Sequence, residues 1–364
     1  MRIALLGDIA LFGKMSIKEN PDVASYFSDI ADYLKGFDYV VGNLETPFSV
    51  KKKTSGAKSA YIYSDGENIK ILKSLHMNAV SLANNHMFDF GKEGYEVTKK
   101  ILNENGIEWF GTEGKEFTIE KDDCKVAFSG FCCFTSNPLR CVRYGAYGVN
   151  AYNIGKARKV LKNYDNQGYL NVLAVHAGIE HVNYPSIDHI RAARLLADVC
   201  PYVYYGHHPH VIQGVEEYKS SLIAHSLGNF CFDDVYSDTS SEPLIRLSEN
   251  NRTGIILELE VEGNRMVNWK EQVIYIPKEG KMTLIDNPDQ LQGYNESVSN
   301  CEQDIVAYNT QRDKIISDRL RERSAKRNLS WYFKRLRPRY VKILLNARRN
   351  NKLYNNNVLK YIQK

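Results

Sequence analysis

Three imidazoles within four residues, in Gly206-His207-His208-Pro209-His210, are the densest chemical feature of this 364-residue chain. They follow an apolar, strand-like Tyr202-Val203-Tyr204-Tyr205, and Pro209 disfavours a helical continuation. In an extended segment His208 and His210, two apart, project to one side. There, neutral imidazole nitrogens can share one metal site or two adjacent ones. A solvated histidine loop is the plainer alternative, and the rest of the chain weighs against it.

Four further apolar runs end in residues suited to metal or phosphate chemistry. Arg2–Leu6 leads to Asp8, Tyr39–Gly42 to Asn43 and Glu45, Ala79–Ala83 to Asn85 and His86, and Asn171–Val175 to His176. Helical spacing separates the runs, over 67–76, 92–105, 153–166 and 187–199, so an α/β arrangement is predicted. In sheets flanked by helices, ligands bind at the carboxyl ends of strands, which lets these side chains converge although they are far apart in sequence. A polar strand end is ordinary when taken singly; the set argues for a site. Imidazole, carboxylate and Asn carbonyl donors without thiolate suit Mn, Fe or Zn. Two such ions about 3.5–4 Å apart, bridged by a carboxylate, would activate a water and hold charge on a phosphoryl group.

Composition sets the background. The hydrophobic and charged fractions, 43% and 25%, are those of a globular protein able to bury a large core. No apolar run reaches the roughly 20 residues of a membrane span, and the N-terminus begins with a strand-like segment, so the expected location is the cytoplasm. Seven cysteines without CxxC spacing suit reduced thiols. The net charge of +5 is unevenly spread: residues 312–364 carry 17 Lys or Arg against 3 acids, leaving the body acidic. Gly7 to Lys14 superficially resembles a phosphate-binding loop, but Met15 follows the lysine and the spacing is wrong.

With Ser226-Leu227-Gly228-Asn229-Phe230 added, the series Gly7-Asp8, Asn43-Leu44-Glu45, Ala83-Asn84-Asn85-His86 with Asp89 and Gly91, His176-Ala177-Gly178 and Gly206–His210 resembles the bacterial CapA capsule-synthesis family. That family is tied to poly-γ-glutamate or polysaccharide capsule production and is related to the calcineurin-like metallophosphoesterases. The resemblance covers about residues 1–234. It implies a four-layer sandwich of two mixed β-sheets flanked by helices, with two ions at one edge. It further implies that Asp8 binds the first metal, Glu45 bridges, and Asn85 and His176 bind the second, with His208 and His210 completing the two shells. His86 resembles the histidine that protonates the leaving group, with Asp89 orienting it. His225 and Asn229 read as supporting residues. The chain departs from the metallophosphoesterase pattern at Ala10, where a ligand histidine is expected.

Lys58, Asn43 and His207 are the candidates to meet substrate. The body is expected to span 1–278, a linker 279–311 and a basic helical tail 312–364. Aromatic and aliphatic residues interleave with Arg and Lys over Trp331–Leu336 and Tyr340–Leu345. Such a tail can lie against the inner face of an anionic membrane or dock on the acidic body, and no base-reading motif accompanies its charge. The expected function is metal-dependent hydrolysis of the phosphoesterase type in making or turning over a capsule polymer. The alternatives are a metal-binding scaffold for a synthase, and amide hydrolysis of a glutamyl polymer by the same activated water.

Overall fold

The computed structural model describes residues 1–48, 61–236, 242–325 and 358–363, together with Val341 and Leu345. Along the chain the first half runs β1 (Arg2–Ile9), α1 (Val23–Tyr26), α2 (Ser28–Leu34), β2 (Tyr39–Leu44), α3 (Ile69–Ser74), β3 (Ala79–Ser81), α4 (Gly91–Glu104), β4 (Glu108–Phe110), β5 (Phe117–Lys121), β6 (Cys124–Cys132), β7 (Cys141–Val142) and β8 (Val149–Asn150). Then come α5 (Ile154–Asp165), β9 (Leu170–His176), α6 (Ile187–Ala197), β10 (Tyr202–His207), β11 (Val215–Tyr218), β12 (Ser221–Ala224), β13 (Asn229–Cys231), β14 (Val235–Tyr236), β15 (Pro243–Ile245), β16 (Thr253–Glu262), β17 (Arg265–Tyr275), β18 (Thr283–Ile285), α7 (Asp289–Ser299) and α8 (Ile305–Ala325).

Two mixed sheets carry the fold. The first has the order β18-β17-β16-β1-β2-β3-β4 with β13 also on β1, and the second runs β11-β12-β10-β9-β6-β5. In the first, β1 to β4 are parallel and β16 to β18 antiparallel. In the second, parallel β6, β9, β10 and β12 lie between antiparallel edges.

The period of a strand explains the layers. Ile3 and Leu5 of β1 point into the core between the sheets, with Phe128, Val172, Val203 and Leu222 of the second sheet. Ala4 and Leu6, the alternate residues, face Val23, Ile30, Leu72 and Leu102 of α1 to α4. On the far side, Leu173, Val175 and Tyr204 meet Val160, Leu161 and Leu196 of α5 and α6. Central strands are therefore covered on both faces, which is why they read as unbroken apolar runs. Each fully buried large side chain contributes about 1.5–3 kcal/mol, so the sandwich holds the strand ends firmly in place.

Residues 279–311, expected as a linker, supply the edge strand β18 and the helix α7. Helix α8 docks through Ile305, Tyr308, Ile315 and Ile316 on Val182, Tyr184 and Ile190. The short C-terminal helix Val358–Ile362 returns to the body, where Leu359 N–H donates to Asp188 Oδ2 at 3.1 Å. The amphipathic stretches Trp331–Leu336 and Tyr340–Leu345 lie outside the described residues, Val341 and Leu345 apart. Among the described residues no helix is long and apolar enough to cross a membrane. The seven cysteines are free thiols, six of them buried.

Candidate metal centre

Both sheets present the carboxyl ends of their parallel strands at one rim, and the predicted ligands collect there. Asp8 on β1 is the strand partner of Asn43 on β2 and of Asn229 on β13. In the other sheet His207 on β10 stands opposite His176 on β9. The register of β1 shifts between Leu5 and Asp8 and again between Asp8 and Ile9. Such irregularities re-aim a side chain where a regular strand would not. Gly7 allows β13 to approach, since a Cβ there would lie 2.2 Å from Gly228 O.

Beyond β10 the backbone leaves the extended region. His208 and His210 have φ of +96° and +56°, both in left-handed territory that β-carbon sterics disfavour. The expectation that alternation along a strand aims both rings to one side therefore fails in detail. Both rings still reach the cluster, but through a turn held by neighbours: His208 N–H donates to Asp8 Oδ2 at 3.1 Å, and Pro209 O accepts from His181 N–H at 2.5 Å.

Glu45 sits at the centre. Its Oε1 lies 3.6 Å from His210 Nε2, 3.7 Å from His176 Nε2 and 3.9 Å from His86 Nε2. His176 Nε2 is 3.0 Å from Asn85 Oδ1 and 3.1 Å from His208 Nδ1. One ligand atom each from Glu45, His208 and His210 fall within 4.8 Å of one another. Burial keeps His176 well below the usual imidazole range and pushes His208 down to about 3, so both are neutral near pH 7. His210 goes the other way: burial would lower it, but the carboxylates of Glu45 and Asp8 outweigh that and raise it to about 10. Asp8 is buried, which alone would raise its pKa; hydrogen bonds from His207 and His210 hold it well below the usual carboxylate range. The neutral imidazoles of His176 and His208, the Asn85 amide oxygen and the Glu45 carboxylate are donor types that suit a divalent cation.

His86 is at the outer side of the cluster, the most exposed of these side chains at 9% for the residue. Its Nδ1 is 2.6 Å from Asp89 Oδ2, and that oxygen also accepts Ile62 N–H at 3.3 Å. The backbone turn that carries it is built by Asn84, whose Oδ1 accepts from the N–H groups of His86 and Met87. Asn84 Nδ2 donates in turn to Leu44 O at 2.8 Å, which ties this loop to the loop of Glu45.

The expected substrate contacts fall differently. Asn43 is fully buried and its Nδ2 donates to Asp8 Oδ1 at 2.8 Å. His207 is also buried, edge-on to Tyr205, with Nδ1 3.1 Å from Asp8 Oδ1. Both serve the carboxylate and neither reaches an open surface. Lys58 lies outside the described residues. His225 turns away toward Glu216, 3.4 Å distant, in a network with Arg194. Sequence reading missed Asn251, which bonds His210 O at 2.7 Å and His181 Nδ1 at 2.7 Å. Nothing in its surroundings, Glu249-Asn250-Asn251-Arg252, distinguishes it from an ordinary polar turn.

Residues 2–234 match the family model described as bacterial capsule synthesis protein PGA_cap. The chain belongs to this family. Among PGA_cap relatives, it is 29% identical over 274 residues to the capsule biosynthesis protein CapA of Bacillus anthracis, covering 70% of this chain and 66% of that one. It is 26% identical over 262 residues to the PGA biosynthesis protein CapA of Bacillus subtilis (strain 168), covering 69% and 68%. The chain thus spans about two thirds of the length of the curated relatives it matches. Among solved structures, this PGA_cap chain is similar to a phosphatase from Mycoplasma pneumoniae, with TM-score 0.45, 15% identity and coverage of 82% and 98%. It is also similar to a putative 5'-nucleotidase from Staphylococcus aureus, with TM-score 0.46, 10% identity and coverage of 82% and 58%.

Proposed function

We propose that this PGA_cap protein is a metal-dependent hydrolase of phosphoester bonds that acts in the assembly or turnover of a capsule polymer, either polysaccharide or poly-γ-glutamate. The observation that carries the reading is the His86–Asp89 pair, 2.6 Å apart, whose second ring nitrogen faces Glu45 at 3.9 Å. A purely structural cation cluster has no use for an oriented, partly accessible imidazole at its outer edge; a leaving group does. Glu45, Asn85, His176, His208 and His210 would hold a divalent cation such as Mn, Fe or Zn. When bound, that cation would supply Lewis acidity toward a phosphoryl oxygen and lower the pKa of a water. Asp89 Oδ2 beside His86 Nδ1 fixes the ring with Nε2 on the side of Glu45. His86 Nε2 then gives its proton to the departing oxygen. The buried walls around Glu45 exclude bulk water and strengthen each of these interactions.

A second reading is a metal-binding scaffold for a polymer synthase, and Ala10 favours it, because the chain lacks the imidazole found there in the related hydrolases. The basic tail 312–364 belongs to the same proposal as a contact for an anionic membrane face, read out by co-sedimentation with anionic vesicles. To separate the two readings, purified protein is stripped of metal, reloaded with Mn or Zn and assayed on phosphomonoesters, phosphodiesters and a γ-glutamyl peptide beside His86→Ala. Metal-dependent turnover of a phosphoester that His86→Ala loses supports the hydrolase. Background rates in both proteins leave the scaffold.

A further inference from the structure

The way the donors at the rim are shared out bears on how many cations they can hold. Asp8 is closely surrounded from within the protein, with two hydrogen bonds and two ring nitrogens at its oxygens. Asn43 Nδ2 at 2.8 Å and His207 Nδ1 at 3.1 Å face Oδ1, while His208 N–H at 3.1 Å and His210 Nδ1 at 3.3 Å face Oδ2. A carboxylate offers about four lone-pair directions, and four partners approach these two oxygens. Two residues further on, Ala10 brings no donor and is buried in an apolar cluster with Ile62, Phe232, Val235 and Leu247. A cation beside Asp8 would therefore meet hydrocarbon on that side.

Asn229 completes the pattern. Its Nδ2 donates to Asn251 O at 2.9 Å, which turns Oδ1 toward His210 Nδ1 at 3.0 Å. With Asp8 Oδ2 as the other neighbour, His210 Nδ1 is flanked by two acceptors and carries a proton. That leaves Nε2, on the side of Glu45, as the ring nitrogen that would face a cation, which would displace its proton. A carboxylate or amide behind a histidine is the usual device for fixing the tautomer of a metal ligand. Around Glu45 Oε1, meanwhile, the donor separations already given fall between 3.0 and 3.7 Å. Atoms bound to one ion at about 2.0–2.2 Å are separated by roughly this much.

Resting on the reading of this cluster as a metal centre, we infer that it holds a single divalent cation on Glu45, Asn85, His176, His208 and His210. Asp8 and Asn229 are positioning residues that set the His210 tautomer and the 207–210 turn. The resemblance implied two ions; the crowded Asp8 carboxylate and the apolar surroundings of Ala10 point to one.

The test uses the full chain, stripped with chelator, titrated with MnCl2 alone and freed of excess metal, with bound Mn counted by elemental analysis and its environment read by EPR. The expected result is one Mn per chain with the resolved hyperfine pattern of an isolated ion. Two per chain, or the spectrum of an exchange-coupled pair, overturns the inference and leaves the hydrolase proposal standing. Asp8→Ala is expected to keep one Mn per chain with affinity about 10–100-fold weaker, the usual effect of losing a supporting group. Glu45→Gln is expected to fall to background. If Asp8→Ala, with the circular dichroism of the parent, loses Mn as completely as Glu45→Gln, Asp8 is a ligand and the inference fails. No Mn retained by the parent overturns both this inference and the metal-centre reading, whereas one Mn without phosphoester turnover overturns the hydrolase proposal alone.

Discussion

If His86 delivers a proton to the leaving oxygen, the damage done by removing it depends on how much that oxygen needs one. An alkoxide leaving group, as from a sugar hydroxyl, departs poorly without protonation, while p-nitrophenolate departs readily as the anion. General acid catalysis contributes about 10²–10⁴-fold where it is needed. His86→Ala should therefore lose that much kcat on an alkyl phosphodiester and less than about tenfold on its p-nitrophenyl counterpart. Asp89→Asn gives a graded version. The 2.6 Å contact to His86 Nδ1 is a charge-assisted hydrogen bond once the ring is protonated, and such bonds contribute about 1.5–3 kcal/mol. That converts to a loss of roughly 10–150-fold in kcat on the alkyl ester, with KM little changed. Because Asp89 also accepts Ile62 N–H, the variant is checked by thermal melting before its rates are read. Steady-state kinetics across a series of leaving groups measure the slope directly. Equal losses on alkyl and p-nitrophenyl esters would refute a proton-donating role for His86 and leave it a structural neighbour of Glu45.

Other consequences are accessible without a substrate. Arg194 makes a paired contact with Glu216 at 3.1 and 2.6 Å, both side chains buried, so Arg194→Met strands a carboxylate and should cost about 3–5 kcal/mol in urea unfolding. The double variant Arg194→Met/Glu216→Leu should regain most of that loss. Burial lowers His189 to about 4, so the folded chain keeps it neutral while the unfolded chain takes a proton below about 6.5. Its contribution is complete above pH 6.5 and disappears as pH falls toward 4, on the order of 3 kcal/mol in all. His189→Gln should accordingly flatten the stability profile of the metal-free protein across that window. Gly206→Ala would place a methyl 1.9 Å from the backbone oxygen of His225, so a drop of at least 1–3 kcal/mol and poor soluble yield are expected; an unchanged melting temperature would show that the two strands can part there.

Much of the rim was legible because the strands that build it are covered on both faces. Buried parallel strands such as β1, β9 and β10 show as apolar runs, and their polar ends then stand out as candidate ligands. Edge elements gave no such signal: β5 mixes Phe117 and Ile119 with Glu120 and Lys121, and β11 carries Glu216 and Glu217, so neither resembles a core strand. Sheet order was also out of reach. β13 pairs with β1 from more than 200 residues away, and only that pairing makes Asn229 a neighbour of Asp8. Side-chain direction was the third gap. Alternation along an ideal strand places His208 and His210 together for the wrong reason, since their backbone is not extended, and it says nothing of His207 turning inward to Asp8.

The left-handed residues at His208 and His210 carry an evolutionary implication. Each costs roughly 1–2 kcal/mol relative to glycine, a cost that contacts elsewhere must offset. Random drift toward a more stable chain would replace both imidazoles with glycine. Chains that keep histidine at both positions are therefore under pressure to retain what those rings do, and a survey of natural variants in which glycine appears at either position should also find Glu45 and His176 altered.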